Sequence, residues 1–238
     1  MMKNIDTDII ASSEDTFEML DKMLKKWDEK WWNDFYKDKE KPIPFFTHKA
    51  DEVLASLLEM NPRKKGKSLD IGCGNGRNAI FMAKNGYESK GIDMAEEAIE
   101  WANKNAEKEK SNAHFAMASF FDFESPGRSF NHIHDSGCLH HIKPHRRAAY
   151  LSKVHDLLQD DGYFTLVCFN LEGGTNITDY EVYEEKSMQG GLGFSKIKLE
   201  KVLSPYFKVL QMRTMRTDLE DYFGTPLCWS VLMKKKVD

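Results

Sequence analysis

Apolar side chains recur every three or four residues in several stretches of the chain, a spacing that predicts amphipathic helices. These stretches begin at residue 13 and then cover residues 51–59, 78–84, 96–108, 144–158 and 195–203. Short apolar runs that predict strands occupy residues 68–71, 87–92, 113–118, 130–134, 163–169, 207–215 and 227–234, with a turn at 159–162. Strands that alternate with helices predict an α/β fold, a seven-stranded doubly wound sheet with helices on both faces, because right-handed crossovers join parallel strands.

Two segments interrupt this alternation. Residues 1–62 contain an aromatic run at 27–36 and prolines at 42 and 44. We predict that they form a helical and aromatic cap segment, which precedes a domain at residues 63–238. The rings either cover an apolar edge of the core or cap a ligand site, for which Tyr36, Pro44 and Phe45 are the candidates. Residues 171–193 are polar and glycine-containing, which predicts a mobile insertion beside the site.

The most informative stretch is residues 68–77, where an apolar strand runs through an acid into a glycine-rich turn and a helix. Glycines at 72, 74 and 76 let a ligand approach main-chain N–H groups beside a helix N-terminus. A phosphate-binding loop would need Lys-Ser or Lys-Thr after the glycines, and the dinucleotide fingerprint would need glycine at position 77, which is Arg77. The stretch therefore predicts a different nucleotide-like ligand or, alternatively, a structural turn between strand and helix that binds no ligand.

Leu69 to Gly76 match the pattern [VIL]-[DE]-x-G-x-G-x-G at every position, and this stretch resembles the first motif of the class I S-adenosylmethionine (SAM) methyltransferases. The resemblance implies SAM as cofactor and an antiparallel last strand. An acid before the glycines suits a ligand that carries a sulfonium and an ammonium. The cofactor-binding residues implied within the motif are Asp70, Gly72, Cys73, Gly74, Asn75 and Arg77.

Further candidates lie where later strands end, because ligands of such sheets bind outside the carboxyl ends of the strands. Asp93 ends the second strand 93 − 70 = 23 residues after Asp70, where an acid faces a ribose or, alternatively, caps the next helix. Met94 would flank the adenine. The resemblance implies a polar residue near the adenine amino group after the third strand, where either Ser119 or Asp122 stands, and Phe120 either stacks on the adenine or belongs to the core. Asp135 and Ser136 would line the methionine end.

His140 and His141 follow the fourth strand, in a Leu-His-His stretch similar to that of many small-molecule methyltransferases. They either cap the helix that begins at Pro144 or act as a catalytic base toward a substrate O–H, S–H or N–H. Other histidines lie nearby at positions 132, 134 and 145, but no carboxylate or cysteine stands at a familiar ligand spacing. We therefore expect no metal.

Composition narrows the range of partners. The formal net charge is −4, so the chain lacks a basic field for nucleic acid. Its four cysteines form no C-x-x-C pair, and no apolar run approaches a membrane span, which favours a cytoplasmic protein with reduced thiols and no membrane contact. The expected partner is a small-molecule methyl acceptor, and a homodimer stays open.

The function implied is methyl transfer from SAM to an O, S or N atom by in-line displacement, releasing S-adenosylhomocysteine. The aromatic N-terminus and the form of the motifs resemble small-molecule enzymes of the thiopurine or tellurite-resistance type. Two alternatives stay open from sequence. A non-catalytic SAM-binding protein would keep Asp70 and Asp93, and a nicotinamide-dependent oxidoreductase would share the fold but needs the glycine that Arg77 replaces.

Overall fold

A computed structural model describes residues 9–24, 29–60 and 65–237. Its strands form one seven-stranded sheet in the order β3-β2-β1-β4-β5-β7-β6. Six strands run parallel, and β7 is antiparallel to its neighbours β5 and β6, which confirms the predicted fold and its antiparallel last strand. The strands are β1 Lys67–Ile71, β2 Glu88–Asp93, β3 His114–Met117, β4 Phe130–Ser136, β5 Leu158–Phe169, β6 Phe207–Thr214 and β7 Cys228–Lys235.

Helices flank the sheet and the site. In the described parts of the chain they are α1 Ser13–Met23, α2 Glu29–Lys37, α3 Glu52–Met60, α4 Arg77–Lys84, α5 Glu96–Lys108, α6 Arg147–Leu157, α7 Asp179–Glu184 and α8 Lys196–Leu203, with 3₁₀ turns at Leu139–His141 and Pro144–Arg146. The periodicity predicted α5 with these bounds. α1 begins at the predicted residue 13, and Ser12, directly before it, caps the helix through a capping box with Asp15.

The predicted turn at 159–162 lies inside β5 and does not precede it, so this prediction was wrong. β4 pairs Phe130 with Leu158 and then His132 with Tyr163, so the residues between bulge out of the ladder. A Cβ at Gly162 would lie 2.8 Å from the carbonyl oxygen of Gln159, which shows how tightly the bulge folds back. Polar residues in a bulge read as a turn in sequence because both interrupt an apolar run.

The described N-terminal residues pack as three separate helices. α3 buries Val53, Leu54 and Leu57 against an apolar cluster that includes residues of β5 and β7. α1 is tied to the second 3₁₀ turn because Asp21 pairs with Lys143 at 2.8 Å and with Arg146 at 2.7 Å. Of the segment's predicted residues, 1–8, 25–28 and 61–64 lie outside the described parts, and with them Trp27 and Pro62.

Residues 171–193, which we predicted as a mobile insertion, pack as a folded element. They contain α7, with Val182 fully buried, and a bridge that pairs Thr175 with Leu192. The N–H of Leu192 donates to the carbonyl of His140 at 2.9 Å, so the segment lies directly beside the histidine pair. Its role beside a substrate site and its mobility both stay predictions.

Candidate active site

The glycine loop turns sharply between β1 and α4 at the carboxyl end of the sheet. Gly72 and Gly76 adopt φ of 62° and 80°, where other residues are strained. A Cβ at Gly72 would collide with the Sγ of Cys138, and one at Gly76 would lie 2.9 Å from the Cβ of Ala102. The loop therefore needs glycine for its conformation and for its close packing.

Side chains of the loop turn away from the cleft and attach it to other segments. Cys73 is buried against Gly91, whose added Cβ would lie 2.9 Å from that of Cys73. The side-chain amide of Asn75 donates to the carbonyl of Thr47 at 2.8 Å. Arg77 forms a buried ion pair with a carboxylate of the N-terminal segment. The side chains of these predicted cofactor residues therefore anchor the loop, and any contact with a cofactor would come from its main chain.

Asp70 is buried at the carboxyl half of β1, where one carboxylate oxygen accepts the N–H of Ala79 at 3.2 Å. The other oxygen, Oδ1, is buried and has no hydrogen-bond partner among the described residues. Burial raises the pKa of the Asp70 carboxyl to about 7. The unsatisfied buried oxygen fits an ammonium ligand, because such a cation would pair with the ionised carboxylate, and this supports the place given to SAM.

Asp93 ends β2 and faces the glycine loop across the sheet edge. Its carboxylate accepts the N–H of Gly74 at 3.0 Å and that of Ala95 at 2.9 Å, so it joins the glycine loop to the turn that precedes α5. Burial raises the pKa of this carboxyl despite those two hydrogen bonds. Met94 follows, half-buried. In the described part of the chain no side-chain hydrogen bond caps α5, so Asp93 does not take the alternative capping role, and its ribose role stays a prediction.

The two candidates after β3 lie in different surroundings, Ser119 in a turn and Phe120 in the core. The hydroxyl of Ser119 accepts the N–H of Phe121 at 3.3 Å in the turn that follows the strand. Phe120 is buried in the main apolar cluster, with its ring centroid 4.9 Å from that of Tyr150 in an edge contact. The packing of Phe120 therefore matches the core interpretation, and Ser119 remains the adenine candidate of the two.

Asp135 does not present a free carboxylate to the methionine end. One oxygen accepts the N–H of Cys138 at 2.7 Å, and the other accepts the N–H of Leu139 at 3.0 Å and the hydroxyl of Tyr150 at 2.8 Å. Burial raises the pKa of this carboxyl to about 6. Asp135 thereby holds the turn that carries the histidines, a positioning role that its place at a strand end could not reveal.

His140 has a fixed proton pattern that argues against the predicted base role. Its Nδ1 accepts the N–H of Phe169 at 3.1 Å, and the two rings stack with centroids 3.8 Å apart. The neutral ring therefore carries its proton on Nε2, which lies 3.9 Å from the position of a Cβ on Gly137. Burial holds the pKa of His140 well below its usual range, so the ring offers a hydrogen-bond donor at the end of β4.

His141 lies beside the N-terminal cap. Its ring meets Trp32 of α2 edge-on with centroids 5.0 Å apart, and an added Cβ at Gly191 would lie 3.2 Å from it. Burial lowers the pKa of His141 to about 4, so the ring is neutral at pH 7. The inserted segment, α2 and the histidine turn therefore converge on one face of the site.

The aromatic candidates of the cap separate into inward and outward residues. Tyr36 is buried, and its hydroxyl oxygen would lie 3.0 Å from a Cβ on Gly74, directly against the glycine loop. Pro44 is exposed and Phe45 is 40% exposed, and their place at the site stays a prediction. Phe46 turns inward in their place, with its ring 4.9 Å from that of Trp101 on α5. Adjacent aromatic residues in a turn carry no periodic signal that would separate them.

Sequence reasoning missed Asp51, which we took only as the start of a helix. Its carboxylate is fully buried and contacts His134 Nε2 at 3.0 Å. His134 and His132 share one strand face, and both contact the hydroxyl of Thr165 at 2.7 Å. The described residues contain no group of three His, Cys, Asp or Glu side chains that could hold a metal ion. These histidines therefore belong to a buried polar network.

A doubly wound sheet with a glycine loop after β1 and an acid at the end of β2 defines a nucleotide-type ligand site at its carboxyl edge. A family model described as "Methyltransferase domain" matches residues 69–162. An uncharacterized methyltransferase of Schizosaccharomyces pombe is 32% identical over 102 residues, which cover 43% of this chain and 70% of the relative. The chain belongs to the class I SAM-dependent methyltransferases and is an enzyme that uses SAM.

Two further comparisons extend over most of the chain. Probable thiol methyltransferase 2 of Arabidopsis thaliana is 25% identical over 80% of this chain and 83% of that protein. The solved 1,6-didemethyltoxoflavin-N1-methyltransferase of Burkholderia thailandensis, with bound S-adenosylhomocysteine, has the same fold, with a TM-score of 0.60 at 20% identity. That comparison covers 97% of this chain and 92% of the other. Family membership sets aside the oxidoreductase and non-catalytic alternatives.

Proposed function

We propose that this enzyme transfers the methyl group of SAM to a small-molecule acceptor at an O, S or N atom, by in-line displacement. The observation that carries the proposal is the cover over the site. Trp32 of α2 contacts His141, and Tyr36 lies against Gly74, so rings close the space between the histidine turn and the glycine loop. Such a cover favours a small acceptor, because a polymer would need α2 to move away.

The chain's own residues would bind and orient both reactants. Asp70 would hold the ammonium of SAM, Asp93 the ribose, and the main chain at Gly72 and Gly74 would line the methionine part. Bound SAM supplies a methyl group on a sulfonium, and the sulfur leaves as the neutral thioether of S-adenosylhomocysteine. Alignment of acceptor, methyl carbon and sulfur is then the main contribution of the protein.

An acceptor that is already a good nucleophile suits this site best. The His140 ring has its Nδ1 lone pair occupied by Phe169 and a proton on Nε2, so it would donate a hydrogen bond to the acceptor and would not remove its proton. Two relatives from Arabidopsis thaliana are named probable thiol methyltransferase 2 and thiocyanate methyltransferase 1. Thiols and small sulfur anions are therefore the first acceptors to test.

The test measures release of S-adenosylhomocysteine from SAM in the presence of panels of small thiols, amines and phenols. We expect turnover with members of the thiol panel and little with phenols of high pKa, which need a base. Methylation of a protein or nucleic acid, with no turnover of any small acceptor, would contradict the proposal.

The described helices include none with the length and apolar character of a membrane span. The four free cysteines support a reducing, cytoplasmic location.

A further inference from the structure

Asp51 and Arg77 form an ion pair that lies almost entirely inside the protein, next to the glycine loop. Asp51 Oδ1 and Arg77 Nη1 are 2.6 Å apart, and their side chains are 0% and 6% exposed. The other carboxylate oxygen contacts His134 at 3.0 Å and Asn78 at 3.2 Å. Burial raises the pKa of Asp51, but the Arg77 guanidinium and the hydrogen bond from His134 outweigh it, so the pKa lies below its usual range.

Arg77 extends this pair to the far wall of the cleft. Its Nη1 donates to the carbonyl of Lys49 at 2.9 Å, and its Nη2 donates to the hydroxyl of Ser136 at 3.2 Å. Ser136 ends β4, whereas Arg77 begins α4 directly after the glycine loop. The guanidinium also lies over the ring of Phe223 at 4.9 Å. One rigid, planar group thus joins the N-terminal segment, the glycine loop and the end of β4.

Stability alone is a weak reason for such a pair. Taking two charges out of water costs several kcal/mol, and a well-packed apolar pair of similar size often serves stability as well or better. A buried arginine fork does, however, fix relative positions, because it contacts several partners in one plane. Here the guanidinium contacts the N-terminal segment through Asp51 and Lys49, and the end of β4 through Ser136.

We propose that Asp51 and Arg77 are positioning residues that couple the N-terminal segment to cofactor binding. Asp51 holds the guanidinium in place, and the guanidinium sets the glycine loop against Ser136. The start of α3 would therefore be a working part of the cofactor site although it contacts no cofactor itself. The inference needs only the SAM site and does not depend on which acceptor is methylated.

Glu52 provides a matched control one residue away. It is also fully buried, and its two carboxylate oxygens each lie 2.6 Å from a guanidinium nitrogen of Arg213. Arg213 lies in β6, at the edge of the sheet order, away from β1 and β4. Both pairs join a buried carboxylate to an arginine, and only the Asp51 pair reaches a segment that borders the cleft.

The experiment compares Asp51→Asn and Glu52→Gln with the unchanged protein by calorimetric titration with S-adenosylhomocysteine. Circular dichroism first defines a temperature at which each variant is folded. We expect the dissociation constant to rise at least about tenfold in Asp51→Asn, because small displacements of positioning groups have large effects. In Glu52→Gln it should stay within about twofold, a free-energy change within the usual error of additivity.

Arg77→Lys gives a second reading if Asp51→Asn does not fold. It keeps a cation beside Asp51 but lacks the planar fork that reaches Ser136, so we expect about fivefold weaker binding. Wild-type affinity in a folded Asp51→Asn or Arg77→Lys variant would overturn the proposal. Equal losses in Asp51→Asn and Glu52→Gln would also overturn it, since both would then report general destabilisation. Failure of the wild-type protein to bind S-adenosylhomocysteine would instead contradict the SAM site itself.

Discussion

Asp51 and Glu52 are adjacent in sequence, equally buried and each paired with an arginine, yet they join different parts of the molecule. The partner of Asp51 is 6% exposed and begins the helix after the glycine loop, whereas the partner of Glu52 is 25% exposed and lies on the edge strand β6. The Glu52 pair therefore attaches α3 to the edge of the sheet, whereas we propose that the Asp51 pair also sets the geometry of the ligand cleft. The two pairs differ in role because only the Asp51 pair lies beside the glycine loop.

The largest expected effects are on stability, and both neighbours should show them. Asp51→Asn leaves the Arg77 guanidinium buried without its counter-charge, which costs about 3–5 kcal/mol of unfolding free energy. Glu52→Gln should cost less, about 2 kcal/mol, because the more exposed Arg213 regains water. Denaturant unfolding checks both values. An Asp51→Asn variant as stable as the wild type would show that the pair is not as tightly buried as the structure indicates.

Asp93→Ala should weaken binding directly, and its effect on the dissociation constant can be compared with that of Asp51→Asn. The substitution removes the acceptor for the N–H groups of Gly74 and Ala95 as well as the proposed ribose contact. We expect a loss of about 1–3 kcal/mol in binding, or about 5- to 150-fold in the dissociation constant of S-adenosylhomocysteine. Calorimetry measures it, with Asp156→Ala, an exposed acid of α6 beside the start of β4, as a control that should bind normally.

The pH dependence of binding tests Asp70. Its carboxyl, with a pKa of about 7 in the free protein, must lose its proton to pair with an ammonium, so affinity should fall as the pH falls. Between pH 7.5 and pH 6 the ionised fraction drops roughly eightfold, and the affinity for S-adenosylhomocysteine should drop by a similar factor. Asp70→Asn should bind weakly at both pH values and lose this dependence.

The same carboxyl links pH to the stability of the free protein. Because its folded pKa lies above its unfolded value, the stabilising contribution is fully present below the unfolded pKa and is lost as the pH rises through about 7. The charge of Asp51 raises the pKa of Asp70, so Asp51→Asn should move the midpoint of the binding profile to lower pH. An unchanged midpoint in Asp51→Asn would argue that the two carboxylates do not interact.

The smallest effects should separate two neighbouring rings of the cap. Phe46→Ala removes edge contacts with Trp101 and should cost about 1 kcal/mol of stability. Phe45→Ala alters a ring that is 40% exposed and should stay within about 0.5 kcal/mol. Thermal unfolding measures both. A larger loss for Phe45→Ala would mean that the outer ring of the pair holds the cap in place.

Local patterns predicted the parts of the site that lie within one turn of chain. The strand, the glycine loop and the acid at Asp93 all follow from short-range geometry, and α5 has the predicted bounds because its apolar spacing is regular. The fold follows for the same reason, since the alternation of strands and helices limits the topology. The bulge in β5 was not predicted, because polar residues inside a strand resemble a turn.

Contacts between distant residues could not be predicted in the same way. Asp51 meets Arg77 across 26 residues (77 − 51), and nothing in either local pattern distinguishes it from an ordinary acid at a helix start. The proton pattern of His140 depends on the backbone N–H of Phe169, and the carboxylate of Asp135 is occupied by its own turn and by Tyr150. Each role is set by tertiary packing, which a single sequence does not display.

The most direct test of the whole account is calorimetric titration of the wild-type protein with S-adenosylhomocysteine and, in parallel, with NADH. The account predicts one site per chain with a dissociation constant of about 1–100 µM for S-adenosylhomocysteine and no heat of binding for NADH. Folded protein that does not bind S-adenosylhomocysteine would contradict it. The glycine loop and the buried acids around it would then be structural features without a ligand.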